Sequence, residues 1–139
     1  MDRASQLLHI IDEHEHSQQL VRPTGAAAIT VTAGGGGWTP GNFSNDIIAA
    51  DDIDKPFDLH WIVISNADSN VVYEIVLYYG PNDVECARVR FGRTAVFTNS
   101  ITLPLQTIIL PANSRIRAKS MDGTGGAACD IVAVYLHTY

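Results

Sequence analysis

The sequence has few cysteines, few charged residues and no long apolar run. Two of its 139 residues are cysteine, and charged residues make up 17% of the chain. No apolar run approaches the roughly 18 residues that a membrane helix needs, so we expect no membrane partner. The opening Met1–Ser5 lacks the basic and then apolar order of a signal peptide. An apolar fraction of 46% excludes disordered and collagen-like chains and predicts one globular domain.

Basic residues are also scarce, which argues against a nucleic-acid partner. Nine Lys and Arg stand against fifteen Asp and Glu, giving a net charge of −6. A nucleic-acid-binding protein normally shows the opposite balance. Ten acidic and three basic residues in 1–70 give −7, whereas five acidic and six basic residues in 71–139 give +1. Such asymmetry suits either two unlike contact surfaces or ordinary solvated faces.

The two cysteines, Cys86 and Cys129, both fall in predicted strands. Two thiols alone do not define a disulfide, and we expect buried free thiols. No Cys-x-x-Cys pair or Cys/His cluster indicates structural zinc.

The first 22 residues are predicted to form a helical arm. Residues 3–21 contain no Gly or Pro, and Arg22-Pro23 is expected to end the helix. A stripe at 4-3-4-3 spacing lies along one side of this helix. Its members are Leu7, Ile11, His14, Gln18 and Val21. Because an isolated helix of this length is marginal in water, we expect Leu7, Leu8 and Ile11 to contact the body, another copy or a partner.

Residues 23–139 are predicted to be mainly β, forming an antiparallel jelly-roll-like β-sandwich. Short segments with apolar and polar alternation are separated by turn-forming residues at strand-like spacing. The predicted strands are 28–32, 43–49, 58–65, 71–79, 84–91, 94–98, 101–109, 114–120 and 128–138.

Two tryptophans have different expected environments. Trp38 follows four consecutive glycines, Gly34–Gly37, which indicate a mobile loop carrying an exposed indole. An exposed Trp in such a loop is a common anchor for a protein or a sugar. Trp61 lies in an apolar run and is predicted to be in the core.

Six of the nine basic residues fall within 88–119. If the two strands that carry them are neighbours, they form a basic stripe, which is either a solvated sheet face or a contact for an acidic protein surface. These residues are Arg88, Arg90, Arg93, Arg115, Arg117 and Lys119.

No catalytic or phosphate-binding motif is present, so we assign no catalytic, cofactor-binding or metal-binding residue and expect no enzyme. His9, Glu13 and His16 share one helix side, but nothing else converges there. Asp51–Asp54 lacks the spaced ligands of a calcium loop. His60 and His137 lack ligand neighbours at the spacing of a cupin metal site, which makes a cupin enzyme the third and least favoured hypothesis.

The segment Leu110–Ser120, then the turn 122–126 and the final strand Cys129–Tyr139, resembles the C-terminal half of tailed-bacteriophage virion β-sandwich proteins. Asn113 stands where Gly is more usual. The layout of an arm followed by a small jelly roll is similar to phage capsid cement (decoration) proteins. This resemblance implies a non-enzymatic protein on the capsid exterior of the virion, made in the host cytoplasm and usually oligomeric.

The resulting hypothesis is a virion structural protein that cements neighbouring major capsid subunits and forms a homo-oligomer. The expected partner contacts come from the arm, the tryptophan loop and the basic strands. They are Leu7, Leu8, Ile11, Trp38, Arg88, Arg90, Arg115 and Arg117. The alternatives are a carbohydrate-binding β-sandwich that uses Trp38 and a Tyr, or another phage role such as fibre or collar component.

Overall fold

A computed structural model describes residues 18–25, 27–93 and 100–139. The described residues form eight strands and no helix, and every pairing between the strands is antiparallel. The strands are β1 Gln18–Arg22, β2 Ile29–Thr32, β3 Phe57–Ser65, β4 Val72–Tyr79, β5 Val84–Gly92, β6 Ile101–Pro104, β7 Ile116–Asp122 and β8 Ala128–Thr138. The prediction of a mainly β, antiparallel sandwich is therefore confirmed. The described ranges include no helix long and apolar enough to cross a membrane.

The strands form two sheets. The large sheet has the order β1-β8-β3-β6, with β2 also pairing with β8, and the small sheet has the order β5-β4-β7. The predicted strand 43–49 is not a regular strand, but it runs beside β7. Its Ser44 and Ile47 amides donate to the Ala118 and Ile116 carbonyls at 2.7 and 2.8 Å, and Ile48 pairs with Ile116. This segment therefore extends the small sheet beyond β7.

The core lies between the two sheets because alternate residues of each strand point inward. Leu59 and Ile62 of β3 and Ile75 of β4 are fully buried. Tyr73 and Phe91 stack with parallel rings whose centroids are 4.9 Å apart. Each such buried side chain contributes about 1.5–3 kcal/mol relative to exposure, so the core is the main stabilising element.

The predicted helix over 3–21 is wrong at its C-terminal end, because Gln18–Arg22 form β1. Leu20 pairs opposite the buried Leu136, while the next residue, Val21, is exposed. This alternation has the period of a strand, and the edge of β8 supplies the backbone partners that override helix propensity. The remainder of the predicted arm, including Leu7, Leu8 and Ile11, lies outside the described residues.

Two other predicted strands differ from the structure. The predicted strand 94–98 lies outside the described residues. The predicted strand 101–109 continues only to Pro104, which has no backbone N–H for the ladder. Beyond it, the Leu105 amide donates to the His60 carbonyl at 2.9 Å, and Leu110 forms an isolated bridge with Phe57.

Backbone hydrogen bonds hold the glycine-rich loop 34–37, which the sequence predicted to be mobile. The Trp38 amide donates to the Asp122 carbonyl at 2.6 Å, and the Gly126 amide donates to the Gly34 carbonyl at 2.7 Å. Added Cβ atoms would lie 2.9 Å from the Gly123 oxygen at Gly37 and 2.7 Å from the Thr39 oxygen at Gly34. The glycines therefore allow close backbone approach to the turn 122–126 and within the loop itself.

The two cysteines are free thiols, as expected. Burial raises the pKa of both Cys86 and Cys129 to about 12. Neither thiol is therefore suited to act as a nucleophile near neutral pH.

Gly41 provides a sharp test of this packing. A Cβ atom at Gly41 would lie 1.8 Å from the Thr32 carbonyl oxygen, whereas a Cβ at Gly35 would meet nothing within 4 Å. We expect Gly41→Ala to lower the free energy of unfolding by more than about 3 kcal/mol, because backbone would have to move. Gly35→Ala, the matched control, changes it by less than about 1 kcal/mol. Urea unfolding measures both, and equal effects would contradict this account.

Candidate functional site

The outward side of the small sheet carries four of the nine basic residues and is called here the arginine face. It is built from outward-pointing side chains of the three strands. They are Glu74, Val76 and Tyr78 of β4, Arg88 and Arg90 of β5, and Arg117 and Lys119 of β7. In the register, Val76 lies between Arg88 and Lys119, and Tyr78 lies opposite Arg117. Val76 is fully buried, whereas the cationic side chains and Tyr78 are exposed or half-buried, so the accessible part of this face is mainly cationic.

The basic strands β5 and β7 are not neighbours, because β4 lies between them. The continuous stripe considered from the sequence does not form. Instead, two separate cationic groups flank β4, and each is paired with carboxylates. The arginine face is therefore a network of ion pairs and not a purely basic patch.

The first group is centred on Glu74. Its side chain is only 5% exposed, and its two oxygens accept hydrogen bonds from Arg88 Nη1 at 2.7 Å and Arg90 Nη2 at 2.6 Å. Burial alone would raise the pKa of Glu74, but the hydrogen bonds from Arg90 and Arg88 outweigh it and lower the pKa below its usual value. Glu85 accepts a further bond from Arg88 at 2.7 Å. Glu74 thus fixes both arginine side chains in place.

The second group is centred on Asp83, in the turn between β4 and β5. It accepts hydrogen bonds from Arg117 Nε at 2.7 Å, from Arg117 Nη2, and from Arg115 Nη2 at 3.1 Å. The hydrogen bond from Arg117, helped by Arg115, lowers the pKa of Asp83. The four arginines predicted as partner contacts are therefore all oriented by carboxylates.

Trp38 lies at one end of the arginine face and is 41% exposed, as the sequence predicted. The guanidinium of Arg90 sits over its ring at 4.4 Å from the centroid, and an added Cβ at Gly123 would lie 3.7 Å from indole Cζ2. Trp38 is therefore packed against the sheet through a cation–π contact, with part of the indole in solvent.

Phe43 is a member of this surface that sequence reasoning missed. Its ring lies beneath the Arg117 guanidinium at 3.8 Å and the Lys119 ammonium at 4.3 Å, and it meets Tyr78 edge-on at 5.2 Å. Phe43 lies in the segment that runs beside β7. Its place on this surface could be predicted only if the pairing of that segment with β7 were already known.

The carboxylate of Asp122 organises the turn beside Trp38. It is fully buried and accepts hydrogen bonds from the amides of Thr124 at 2.8 Å, Gly125, and Ala127 at 2.9 Å. Burial alone would raise the pKa of Asp122, but these three amides outweigh it and lower the pKa. The ionised carboxylate thus fixes the conformation of the turn 122–126, and the Asp122 carbonyl accepts the hydrogen bond from the Trp38 amide.

The outward side of the large sheet carries a second surface, called here the aromatic face. Trp61, predicted to be in the core, is 43% exposed and stands opposite Tyr135 on this face. The pairing register of β3 shifts between Leu59 and Trp61, so the simple alternation that predicted burial fails there. A shallow groove next to the indole is lined by Gln19, Trp61, Val63, Thr102 and Tyr135.

Asp58, His60 and His137 also come together on the outward side of the large sheet, with their ligand atoms within 4.8 Å of one another. Sequence reasoning found no ligand neighbour for either histidine. The cluster joins residues almost 80 positions apart, so no local spacing in the sequence signals it.

In contrast, Asp52 of the acidic run Asp51–Asp54 pairs with Arg22 at 2.8 Å.

Comparisons with known proteins give only distant similarities. No family model matches the chain, and no curated protein matches it. The structure of the infectious bursal disease virus Gt strain shares 10% identity at a TM-score of 0.47, covering 89% of this chain and 32% of that chain. The VP2 subviral particle of infectious bursal disease virus shares 12% identity at 0.49, covering 90% and 33%.

The arabinose-bound MgGH51 α-L-arabinofuranosidase is similar at 9% identity and a TM-score of 0.46, covering 88% of this chain and 22% of that chain. The chain thus spans about a third or less of the length of these three structures. At these scores the similarities assign neither a family nor a function.

Removal of the Glu74 charge tests the first ion-pair group. Glu74→Gln keeps the shape but loses charge-assisted bonds to two arginines, so we expect the free energy of unfolding to fall by about 1–2 kcal/mol. Because Arg88 and Arg90 are 52% and 59% exposed, solvent limits the loss. Glu85→Gln, on the exposed partner of the same Arg88, is the control and changes stability by less than about 0.5 kcal/mol. Urea unfolding at pH 7 distinguishes the two, and a larger effect at Glu85 would contradict the assignment.

The depressed pKa of Asp122 predicts acid sensitivity. Its stabilisation is complete above the unfolded-state pKa of about 4 and is lost as the pH falls through the lower folded-state pKa. We expect Asp122→Asn to lower stability by about 2 kcal/mol at pH 7 and to flatten the decline between about pH 5 and 2.5. Asp54→Asn, at an exposed position, is the control. The free energy of unfolding, measured across this pH range, tests the prediction. If it fell with pH as steeply in both variants as in the wild type, the role given to Asp122 would be wrong.

Proposed function

We propose that the chain is a non-enzymatic virion structural protein that binds the outer surface of a capsid and cements neighbouring major capsid subunits. The observation that carries the proposal is the presence of contact-prone side chains on both outer faces of one small sandwich. A cement must hold at least two subunits, so it needs two contact surfaces on a stiff body. The resemblance of Leu110–Ser120 and the turn and strand after it to phage virion sandwich proteins points to the same class.

The strand orders support a jelly-roll form of this sandwich. The large sheet places the first and last strands side by side, in the order β1-β8-β3-β6. In the small sheet, the segment around Ser44–Ile48 lies beyond β7, followed by β4 and β5. If β1 and β2, which both pair with β8, are counted as one edge strand, each layer has four members, and these strand orders are those of eight-stranded jelly rolls, which are common in capsid domains.

The arginine face is suited to a protein partner with acidic groups. Arg and Trp are enriched among the residues that dominate protein interfaces, and both are partly exposed here. Their carboxylate partners hold the arginines before binding, which reduces the ordering entropy that association costs. With Arg115 included, five cations stand against four nearby carboxylates, so the surface is slightly positive and an acidic patch on a shell subunit would complement it.

The aromatic face provides the second contact. Trp61, Tyr135 and Val21 lie next to one another across β3, β8 and β1, and each pair is in register. Because the two faces look in opposite directions, two shell proteins can be engaged at once. Simultaneous engagement raises the overall affinity without requiring either contact to be strong. A homo-oligomer, with one copy's face against another's, stays a prediction that solution mass by light scattering tests.

A carbohydrate-binding module is the second candidate function, and the exposed aromatic residues favour Trp61 over Trp38 as its sugar-stacking side chain. Arg90 covers part of the Trp38 ring, which disfavours sugar stacking there. Trp61 beside Tyr135, at a shallow groove with Gln19 and Thr102, is a better sugar platform. This candidate predicts glycan binding that is lost in Trp61→Ala and kept in Trp38→Ala.

Co-sedimentation with shells tests the cement function. The protein would be mixed with empty shells of the major capsid protein encoded in the same genome and separated on a density gradient. We expect Trp38→Ala and Arg90→Ala each to weaken shell binding by about tenfold or more, as loss of an interface anchor does. Ile108→Ala, an exposed apolar residue on neither face, is the matched control. Circular dichroism verifies that all variants fold.

The outcomes separate the two functions. Shell binding that weakens in the Trp38 and Arg90 variants but not in the control supports the cement. No shell binding by the wild type, together with glycan binding that depends on Trp61, supports the carbohydrate module and overturns the cement.

A further inference from the structure

We propose that Asp58, His60 and His137 form a binding site for a divalent transition metal ion such as Zn²⁺ on the outward side of the large sheet. One carboxylate oxygen and two imidazole nitrogens lie within 4.8 Å of one another. Two histidines with one carboxylate are a common zinc donor set, and imidazole disfavours Mg²⁺ and Ca²⁺. The site is separate from the arginine face and does not depend on the proposed cement function.

The sheet itself assembles the three donors. Asp58 of β3 pairs directly with His137 of β8, which places both side chains on the same side. The register shifts between Leu59 and Trp61, so His60 has no counterpart on β8. Such an irregularity redirects a side chain, and the His60 ring lies with its centroid 4.3 Å from that of His137. Three donors therefore converge from two rigid strands.

Two of the three donors, one from Asp58 and one from His60, are buried and face each other at close range. The Asp58 side chain is only 6% exposed, and its Oδ1 lies 2.8 Å from His60 Nε2. Neither atom makes a hydrogen bond with any described residue. A carboxylate oxygen and an imidazole nitrogen this close are held together either by a proton between them or by a cation bound to both. A metal ion would satisfy both, and the third donor, His137, favours a metal over a proton.

The geometry requires only a small adjustment. Donor atoms bound at 2.0–2.1 Å around a tetrahedral zinc ion stand roughly 3.4 Å apart. The 2.8 Å separation of Asp58 and His60 therefore opens by about half an ångström, while His137 moves inward. Donor atoms that now stand up to 4.8 Å apart would close by up to about 1.4 Å to reach this spacing. Three protein donors leave the fourth position of zinc to water.

The second oxygen of Asp58 is already held in the manner of a metal ligand. Oδ2 accepts hydrogen bonds from Tyr139 Oη at 3.0 Å and from Gln106 Nε2 at 3.1 Å. These two bonds fix the carboxylate so that Oδ1 is the oxygen turned toward His60. Outer hydrogen bonds of this kind orient ligating carboxylates, and their loss typically weakens metal binding about 10- to 100-fold.

Metal titration of the full chain tests the site. Protein stripped with a chelator would be titrated with ZnCl₂ by calorimetry and with CoCl₂ by visible absorption, since tetrahedral cobalt gives intense bands. We expect one equivalent to bind to the wild type. His60→Ala, His137→Ala and Asp58→Asn should each weaken binding by at least about 100-fold, and Tyr139→Phe by about tenfold. Binding should also weaken in acid, because protons compete for the imidazoles.

The other three of the five histidines provide the matched control. A variant carrying His9→Ala, His14→Ala and His16→Ala together should bind one equivalent with wild-type affinity. No binding of either metal by the folded wild type would overturn the proposal, as would binding that is lost only in the triple variant. Tyr139→Phe keeps the test valid even if a ligand variant fails to fold.

Discussion

Backbone pairing along β8 is the constraint on which the rest of the structure depends. This strand pairs with β1 and β2 along one edge and with β3 along the other, so it joins residues from both ends of the described chain. Its inward side chains, such as Leu136, close the core. Its outward side chains place Tyr135 beside Trp61 and His137 beside Asp58. Both the aromatic face and the proposed metal site are consequences of one register.

The small sheet has a different organising principle, the pairing of one buried and one half-buried carboxylate with two arginines each. Glu74 and Asp83 each hold two arginines, so these guanidinium groups have fixed positions on the sheet although Arg88 and Arg90 remain more than half exposed. Guanidinium groups also cover the aromatic rings of Trp38 and Phe43. The result is a surface whose arginine side chains already have fixed positions. These positions would be retained when a partner binds, and the cations remain partly exposed to that partner.

The sequence predicted the strands best where turn residues bound a clear alternation, as in β4, β5, β7 and β8. The prediction failed where pairing with a distant strand determines the secondary structure. Leu20 and Val21 are an example, because their spacing fits a helix as well as a strand. It also failed at Trp61, because an irregular register cannot be inferred from alternation. The pairing of Arg90 with Glu74 and of Asp58 with His137 depends on strand order, which no single stretch of sequence contains. The four arginines and Trp38 stay predicted partner contacts, and the carboxylates that orient the arginines were not predicted.

The contact between the loop 34–37 and the turn 122–126 has a consequence for the folding pathway. Residues 38 and 122 meet through a backbone hydrogen bond across more than 80 intervening residues. Closing so large a loop costs chain entropy that nearby contacts do not repay, and contacts of this kind slow folding. The contact between these two loops is therefore expected to form late in folding, as are the β1–β8 and β2–β8 pairings, which join residues still farther apart in the sequence.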